Sequence, residues 1–240
     1  MVTFANKYYS VKYRYLFFDL DRTLWDYDAN SRQALNVLFS TYELEHHFSS
    51  PDEFYRLYDH HNTLLWEDYR QGRIMKDDLR TKRFNITFEE KGLKDTALAK
   101  RVGDHYLELT PSMRMLFPGT IETLEYLVHA GYRLFILTNG FLTTQQTKMK
   151  NSGIEGYFER IFSSEEIGIN KPHKAIYHWA VSSLNAPKSE CLMIGDDLNV
   201  DIQGALDYGI DGVLFDPHKT ESPSGRFKTI RHLAELQHFL

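Results

Sequence analysis

Two carboxylates separated by one residue follow the first apolar segment of the chain, in Phe18-Asp19-Leu20-Asp21-Arg22-Thr23-Leu24. Like charges this close are unfavourable unless a cation lies between them or one of them holds a proton. The pair therefore indicates a metal site, a proton-transfer role, or both. A solvated acidic turn that caps a helix is the alternative, because an Asp-x-Asp-x-Thr match is only moderately specific on its own.

Three later segments add groups that suit a bound phosphate or a cation. Leu137-Thr138-Asn139-Gly140 offers a hydroxyl, an amide and a permissive glycine, which together can hold phosphate oxygens. Lys171-Pro172 places an ammonium before a predicted helix, where an isolated lysine is more often a surface residue. Gly195-Asp196-Asp197 with Asp201 adds three carboxylates, the ligand type that hard divalent cations prefer.

Short apolar runs and helical stretches alternate in the chain outside residues 27–112. The runs lack polar alternation, which is typical of strands covered on both faces in a parallel sheet. Strands are predicted at Tyr15–Leu20, Arg133–Thr138, Arg160–Ser163, Cys191–Gly195 and Gly212–Phe215. Helices are predicted from Ile121 to Ala130, ending at Gly131, and from Pro172 onward. The pattern predicts a doubly wound, Rossmann-like α/β sheet, whose ligands bind at the carboxyl ends of the strands.

Residues 27–112 interrupt this alternation with helical spacing throughout and no convincing strand. Apolar stripes at helical spacing are formed by Leu35, Leu38, Phe39 and Tyr42, and by Leu57, His61, Leu64 and Leu65. We therefore predict an all-helical cap domain at 27–112, inserted into an α/β core made of 1–26 and 113–240. Hinges are expected near 25–30 and 110–119, where Pro111 and Pro118 punctuate the chain.

Whole-chain composition excludes several classes of protein. The 240 residues include 28 basic and 33 acidic side chains, a net charge of -5, so a nucleic-acid polymer is not expected as a partner. The single cysteine, Cys191, cannot form an intrachain disulfide, which suits a reducing compartment. The N-terminal segment lacks the apolar core of a secretory signal, and no run reaches the ~18 apolar residues of a membrane span. A cytoplasmic location is predicted.

In order and spacing, the four polar segments resemble the motifs of the haloacid dehalogenase superfamily, at Asp19 to Thr23, Thr138, Lys171 and Gly195 to Asp201. The helical insert is similar to the first type of helical cap in that family. The resemblance implies a phosphohydrolase in which Asp19 is the nucleophile that becomes an aspartyl-phosphate. It also implies that Asp21 is the general acid and base.

The resemblance further implies that Thr138, Asn139 and Lys171 bind the substrate phosphate. It implies Mg²⁺ held by Asp19, by the main-chain carbonyl of Asp21 and by Asp196, with Asp197 or Asp201 acting directly or through water. Such a cation would let an anionic nucleophile approach an anionic phosphate.

Dehalogenation is the weaker reading of this resemblance. The dehalogenase branch lacks the second aspartate, because a leaving halide needs no proton, whereas Asp21 is present here. Arg22 stands where many relatives carry glycine. The turn after Asp21 could therefore differ from that of the family and narrow the substrate entrance.

Further segments narrow the substrate class. Thr138 to Phe141 with Gln145 and Gln146, Ser164 to Gly168, and Leu65 to Tyr69 resemble house-cleaning pyrimidine 5'-nucleotidases more than phosphoglycolate phosphatases. A nucleoside 5'-monophosphate is therefore the first predicted substrate. Sialic acid 9-phosphate phosphatases share the threonine-asparagine-glycine and glutamine features, so a sugar phosphate is the alternative.

A non-enzymatic phospho-acceptor module could use the same aspartate, magnesium and lysine. Such a module needs neither a cap nor a general acid, so the insert of about 85 residues and Asp21 favour turnover. Within the cap, Trp66, Tyr69, Arg70 and Arg73 could contact a base, but aromatic residues at helical spacing more often belong to a core.

Overall fold

The computed structural model describes residues 12–218, 225 and 227–240. Residues 1–11, 219–224 and 226 lie outside the described residues. They fall in the predicted α/β core, and the prediction that no secretory signal is present concerns the first of these ranges. Two compact units divide the chain. One contains Met1–Leu24, Phe117–Leu142 and Gly156–Leu240, and the other contains Trp25–Leu116 and Thr143–Glu155. The sequence-based domain boundaries remain a prediction.

The first unit is built on a six-stranded parallel sheet in the order β3-β2-β1-β4-β5-β6. Its strands are β1 Tyr15–Phe18, β2 Arg133–Thr138, β3 Arg160–Ser163, β4 Cys191–Gly195, β5 Asp211–Phe215 and β6 Lys228–Ile230. The predicted doubly wound α/β fold is confirmed. The edge strand β6 was missed, because its three residues include only one that is buried and carry no apolar run.

Helices of this unit include α5 (Thr120–His129), α7 (Lys174–Ser183) and α8 (Gly204–Tyr208). Helix α5 ends beside Gly131, whose φ of 89° is a left-handed conformation that glycine adopts freely. Helix α7 begins two residues later than predicted, because His173 is its N-cap and accepts a hydrogen bond from the backbone N–H of Ala175.

The centre of the sheet opens the crevice that holds the polar segments. All four residues of β1 are buried, as expected for a central strand covered on both faces. Strands β2 and β4 flank β1, and the direction in which the sheet is wound reverses between β1 and β4. Ligands of doubly wound sheets bind at the carboxyl ends of the strands at such a reversal. Asp19 and Asp196 come directly after these two strands.

The second unit is helical, with α1 Tyr27–Thr41, α2 Pro51–Arg70, α3 Lys76–Glu90, α4 Thr96–Leu109, and α6, which spans Leu142–Asn151 and lies in this unit from Thr143. None of the strands falls within residues 27–112. Helices α1, α2 and α4 begin after Asp26, Ser50 and Asp95, whose side chains accept hydrogen bonds from backbone N–H groups of the first turn. No helix among the described residues is long and apolar enough to cross a membrane.

An aromatic core holds the helical unit together. Phe54 is fully buried, and its ring centroid lies 4.9 Å from that of Phe48 and 6.2 Å from that of Phe88. The predicted α2 stripe is partly wrong. The buried face of this helix carries Phe54, Tyr58 and Leu65, so Leu64 lies about 100° around the helix axis from Leu65 and is 52% exposed.

The two ends of the helical insert are bonded to each other within this unit. Trp25 and Leu116 form an antiparallel bridge, and the backbone N–H of Asp26 donates to Met115 O at 3.1 Å. The buried side chain of Asn30 donates to Met115 O at 2.8 Å and accepts from its N–H at 2.9 Å. Entry and exit of the insert are therefore fixed side by side.

The Phe54→Ala substitution is expected to lower the free energy of unfolding of the helical unit by ~3–5 kcal/mol, because it leaves a cavity among aromatic rings. The matched control is Leu64→Ala in the same helix, which should change this free energy by less than ~0.5 kcal/mol. Urea denaturation of the full chain measures both. Equal effects of the two substitutions would contradict the packing described here.

Candidate active site

The Lys171 ammonium is the centre of the polar crevice. Its Nζ donates to Asp19 Oδ1 at 2.7 Å, to Asp201 Oδ1 at 2.6 Å and to Leu137 O at 2.8 Å. A lysine has three donor protons, so all three are used. The side chain is almost fully buried, at 1% exposure. Burial lowers the pKa of Lys171, but the two carboxylates raise this pKa by a larger amount, so the amine stays charged.

Asp19 lies where β1 ends, with its backbone N–H still bonded to Ile194 O of β4 at 2.9 Å. Burial raises the pKa of Asp19 from an ordinary 3.8 to about 7; Lys171 opposes the rise, and the charges of Asp201 and Asp21 add to it. The carboxylate thus has a fixed backbone and a single ammonium partner. Asp19 Oδ2 accepts no hydrogen bond from the described residues.

Asp196 follows β4 and is held by the motif that follows β1. Thr23 donates from Oγ1 to Asp196 Oδ1 at 3.1 Å. Burial raises the pKa of Asp196 well above its ordinary value, and Asp201 and Asp19 raise it further, against the opposing effects of Thr23 and Arg22. Within the described part of the chain, Asp196 Oδ2 accepts no hydrogen bond.

Asp201 differs from Asp196 because both of its carboxylate oxygens are engaged. Oδ1 accepts from Lys171, and Oδ2 accepts from the backbone N–H of Asp197 at 3.1 Å. Gly195 makes room for this carboxylate, since a Cβ there would lie 2.4 Å from Asp201 Cγ. Asp201 therefore anchors Lys171.

Asp197 caps a turn and does not contact Lys171. Its Oδ1 accepts from the backbone N–H groups of Asn199 and Val200, each at 2.9 Å, and so caps the turn that leads into α8. Of the two acids that the sequence left open, the structure places Asp201 beside Lys171 and uses Asp197 as a cap.

Asn139 forms two hydrogen bonds with the backbone of Lys171. Its Oδ1 accepts from Lys171 N at 2.8 Å, and its Nδ2 donates to Lys171 O at 3.0 Å. Thr138 Oγ1 accepts from Gly140 N at 3.0 Å, which shapes the turn after β2. Both residues lie at the carboxyl edge of the sheet as predicted, and their role in phosphate binding remains a prediction.

The turn after Asp21 has the conformation that glycine favours. Arg22 has a φ of 63°, a left-handed value that non-glycine residues adopt at an energetic penalty of roughly 1 kcal/mol. The arginine in this position therefore stands on a backbone suited to glycine, and its charge lowers the pKa of Asp196.

The donor set of the crevice suits a hard divalent cation. One carboxylate oxygen from each of Asp19, Asp196 and Asp201 lies within 4.8 Å of the others. One ammonium faces three carboxylates, so two negative charges remain when all are ionised. The open oxygens belong to Asp19 and Asp196, which are the two side-chain ligands that the sequence predicts. These residues fit Mg²⁺, which binds through one or two carboxylates and water.

Two contacts of the crevice escaped the sequence analysis. The pairing of Asp201 with Lys171 and the hydrogen bond from Thr23 to Asp196 each join residues far apart in the chain. A weak signal for the first was present, since Asp201 lies four residues after Asp197, one turn further along a helical segment. Thr23 lay inside the quoted motif without an assigned contact.

Known proteins resemble this chain over nearly its whole length. The haloacid dehalogenase-like hydrolase family matches residues 13–209. The chain is 30% identical to the pyrimidine 5'-nucleotidase YjjG of Escherichia coli, over 96% of this chain and 99% of that protein. It is 32% identical to the pyrimidine 5'-nucleotidase PynA of Streptococcus pneumoniae, over 88% and 86% of the two chains.

A solved structure supports the same relationship. The magnesium-bound HAD-hydrolase YfnB of Bacillus subtilis aligns with a TM-score of 0.84 and 27% identity, covering 95% of this chain and 98% of that one. The chain belongs to the haloacid dehalogenase-like hydrolase family. The predicted superfamily and the predicted enzyme of the phosphatase class are confirmed.

The metal-free protein is expected to lose stability as the pH rises from 3.8, the ordinary pKa of an aspartate, to about 7, the pKa of Asp19 in the folded chain. The folded chain keeps a proton on Asp19 up to about pH 7, whereas the unfolded chain loses it near 3.8. Between these values the folded state binds more protons, so rising pH favours unfolding. The pKa values of Asp196 and Asp201 shift in the same direction.

Urea denaturation in excess chelator at about pH 5 and about pH 8 checks this pH dependence. Asp19→Asn is the reference, because its amide does not titrate. The stability of the wild type relative to Asp19→Asn should be lower at the higher pH. A difference that does not change with pH would contradict the raised pKa of Asp19.

Proposed function

We propose that this chain is a magnesium-dependent phosphomonoester hydrolase that works through an aspartyl-phosphate on Asp19 and prefers nucleoside 5'-monophosphates. The observation that carries the proposal is the buried Lys171 ammonium, which joins Asp19 at 2.7 Å to Asp201 at 2.6 Å beside Asp196. A carboxylate so placed is oriented, desolvated and partly screened, as an attacking group in phosphoryl transfer needs to be.

Two aspartates carry the proposed chemistry. A carboxylate oxygen of Asp19 attacks phosphorus, and the bond from phosphorus to the leaving oxygen breaks. Asp21 gives its proton to that oxygen, so the alcohol leaves neutral. Asp21 then takes a proton from a water molecule, which attacks the acyl phosphate, releases inorganic phosphate and regenerates Asp19. The effect of the Asp21 charge on the pKa of Asp19 supports their proximity.

The remaining residues bind and screen charge in this proposal. Thr138, Asn139 and Lys171 bind the substrate phosphate. Because the three protons of Lys171 are engaged within the protein, its contribution is the electrostatic attraction that also reduces the repulsion between phosphate and Asp19. Mg²⁺ would be held by Asp19, the main-chain carbonyl of Asp21 and Asp196. When bound, the cation neutralises charge on the phosphate and on the acids. Asp201 is proposed to position Lys171, since both of its oxygens are already engaged.

Pyrimidine nucleoside 5'-monophosphates are the proposed substrates, which the two relatives named as pyrimidine 5'-nucleotidases support. Residues 27–112 are proposed to act as the cap domain that selects the leaving group, because the α/β site supplies groups for phosphate and metal only. Sugar phosphates such as sialic acid 9-phosphate are the second candidate, on the shared threonine-asparagine-glycine segment. A reducing, cytoplasmic setting is proposed as well, supported by the buried free thiol of Cys191.

Asp19→Asn is expected to lower kcat by at least ~10³-fold, because an amide cannot act as the nucleophile. The measurement is steady release of inorganic phosphate from an aryl phosphate, with circular dichroism to verify folding. Wild-type protein should release many equivalents of phosphate per chain. A single equivalent without turnover would instead indicate a phospho-acceptor module.

Asp201→Asn and Asp197→Asn form the matched pair for this experiment, since each replaces one acid of the same segment by its amide. Asp201→Asn removes the negative charge that pairs with Lys171. Asp197→Asn keeps a side-chain oxygen that can accept the capping hydrogen bonds. A larger loss of kcat for Asp201→Asn is expected. Equal losses, or substantial activity in Asp19→Asn, would refute the assigned roles.

Pyrimidine nucleoside monophosphates are expected to exceed sugar phosphates and phosphoglycolate by at least ~10-fold in kcat/KM with Mg²⁺ present. Excess chelator should abolish turnover of each substrate, and added Mg²⁺ should restore it. A substrate panel measured with and without chelator provides both results. If a sugar phosphate has the highest kcat/KM, the proposed nucleotide substrate is wrong. Full activity in excess chelator would refute the proposed magnesium dependence.

A further inference from the structure

Tyr177 of helix α7 is a buried residue whose hydroxyl is directed at the segment that carries Asp201. Its side chain is fully buried among apolar residues of the α/β unit. Oη lies 2.7 Å from Val200 O and 3.1 Å from Asp201 O, and it donates to these backbone carbonyls. A tyrosine hydroxyl has a single proton, so the two carbonyls share it. The side chain therefore contacts the backbone of Asp201 itself.

The hydroxyl of Tyr177 keeps its proton in the folded chain. Burial raises the pKa of Tyr177 well above its ordinary value, and the charges of nearby acids, Asp201 first, raise it further. A neutral phenol is a hydrogen-bond donor, whereas a phenolate would repel the carbonyl oxygens that it contacts. The contact between Tyr177 and residues 200–201 is therefore that of a donor with two acceptors.

Asp201 stands in a stretch of backbone that is less regular than an α-helix. Leu198–Gln203 forms a π-helix, in which the N–H of Ile202 reaches back five residues to Asp197 O at 3.3 Å. Turns of this kind are rare and are frequently found at functional sites. An uncommon backbone conformation persists where the surrounding structure fixes it. The hydroxyl of Tyr177, which comes from another helix, is such a fixing contact.

Close packing fixes the same segment at its C-terminal end. A Cβ at Gly204 would lie 2.7 Å from Tyr177 Oη and 2.9 Å from Pro172 Cβ, so the backbone comes as near as glycine allows. Pro172 is the residue that follows Lys171. The start of helix α8 is thereby packed against both the Tyr177 hydroxyl and the segment that carries Lys171.

The position of the Asp201 backbone decides where its carboxylate lies. Oδ1 accepts from Lys171 Nζ at 2.6 Å, and Oδ2 accepts from Asp197 N at 3.1 Å. The same ammonium donates to Asp19 Oδ1 at 2.7 Å. A chain of direct contacts therefore leads from the Tyr177 hydroxyl to the Asp19 carboxylate. A phenylalanine would fill the same space in the core without making the first of these contacts.

We propose that Tyr177 is a positioning residue of the active site, whose hydroxyl fixes the Asp201 carboxylate at the distance at which it holds Lys171. This assignment rests on the proposed phosphomonoesterase function. Tyr177 acts through Asp201 and not on the substrate itself. Loss of the hydroxyl is expected to loosen Asp201, and with it the ammonium that orients the nucleophile.

Tyr177→Phe removes the hydroxyl and keeps the ring, and Tyr208→Phe is the matched control. The rings of the two tyrosines are stacked, with their centroids 6.3 Å apart. The Tyr208 hydroxyl lies 3.5 Å from His178 Nδ1, in an exposed contact. Each variant therefore loses one hydroxyl of the same stacked pair, but only Tyr177→Phe loses the contact with residues 200–201.

Hydrogen exchange of backbone amides, followed by NMR in the full chain, reports the position of Asp201. The N–H of Asp197 donates to Asp201 Oδ2, whereas the N–H of Asp19 donates to Ile194 O in the centre of the sheet. Tyr177→Phe should speed exchange at Asp197 ~3- to 10-fold and leave exchange at Asp19 unchanged. The control variant should change neither rate. Equal acceleration at both amides, or none at Asp197, would overturn the assignment.

Turnover of phenyl phosphate with Mg²⁺ present tests the consequence for the reaction. Tyr177→Phe should lower kcat ~3- to 10-fold and change KM less than ~2-fold, because orientation of the nucleophile is affected and binding is not. The control variant should keep the kcat of the wild type. In an Asp201→Asn background, the same substitution should have no further effect, since the charged contact that it supports is already lost. An unchanged kcat, or an equal loss in the two backgrounds, would refute the positioning role.

Failure of the proposed function gives a different result. If the wild type releases no phosphate from phenyl phosphate or from uridine 5'-monophosphate, the phosphomonoesterase proposal fails. The exchange rates do not depend on turnover and then decide alone. Selective acceleration at Asp197 in Tyr177→Phe supports the positioning of Asp201 by the hydroxyl, and equal rates in the three proteins contradict it.

Discussion

The burial of a single ammonium between two carboxylates is the interaction on which the site depends. Lys171 satisfies all three of its donor protons with Asp19, Asp201 and Leu137 O. These groups come from β1, from the segment after β4 and from β2, so the bond set forms only when the sheet is assembled. Removal of either carboxylate would leave a buried charge short of its partner, which is far less favourable than a lost surface ion pair. The same contacts that stabilise this crevice therefore also orient Asp19.

The charge of the three acids in the crevice is only partly balanced. Among the described residues, Lys171 is the one ammonium bonded to this group, through Asp19 and Asp201, and burial raises the pKa of all three acids. Asp201 has both oxygens occupied, whereas Asp19 and Asp196 each present one open oxygen. The residual charge and the open oxygens coincide on the same two side chains. That coincidence is the physical basis for proposing a divalent cation there, and it separates acids that bind from acids that position.

The sequence predicted the strands and the polar segments well because both depend on local pattern. Five of the six strands of the parallel sheet appear as apolar runs, and the motif residues follow strand ends or precede a helix. Long-range choices were not predictable in the same way. Asp197 and Asp201 are chemically identical, and only the fold decides that one caps a turn and the other reaches Lys171. The exposure of Leu64 likewise follows from which face of α2 packs, because helical spacing alone allows more than one stripe.

Two of the buried cations among the described residues, Lys171 and Arg83, differ in how their charge is balanced. Lys171 is paired with carboxylates of the protein, so its environment is complete before any substrate arrives. Arg83 is held by a backbone carbonyl, a phenol and an amide, all of which are neutral acceptors. Burial lowers the pKa of Arg83, and the neighbouring tyrosines raise it. The charge of Lys171 is thus balanced by acids of the α/β unit, whereas Arg83 depends on neutral groups of the helical unit, and only the first arrangement brings carboxylates together for chemistry.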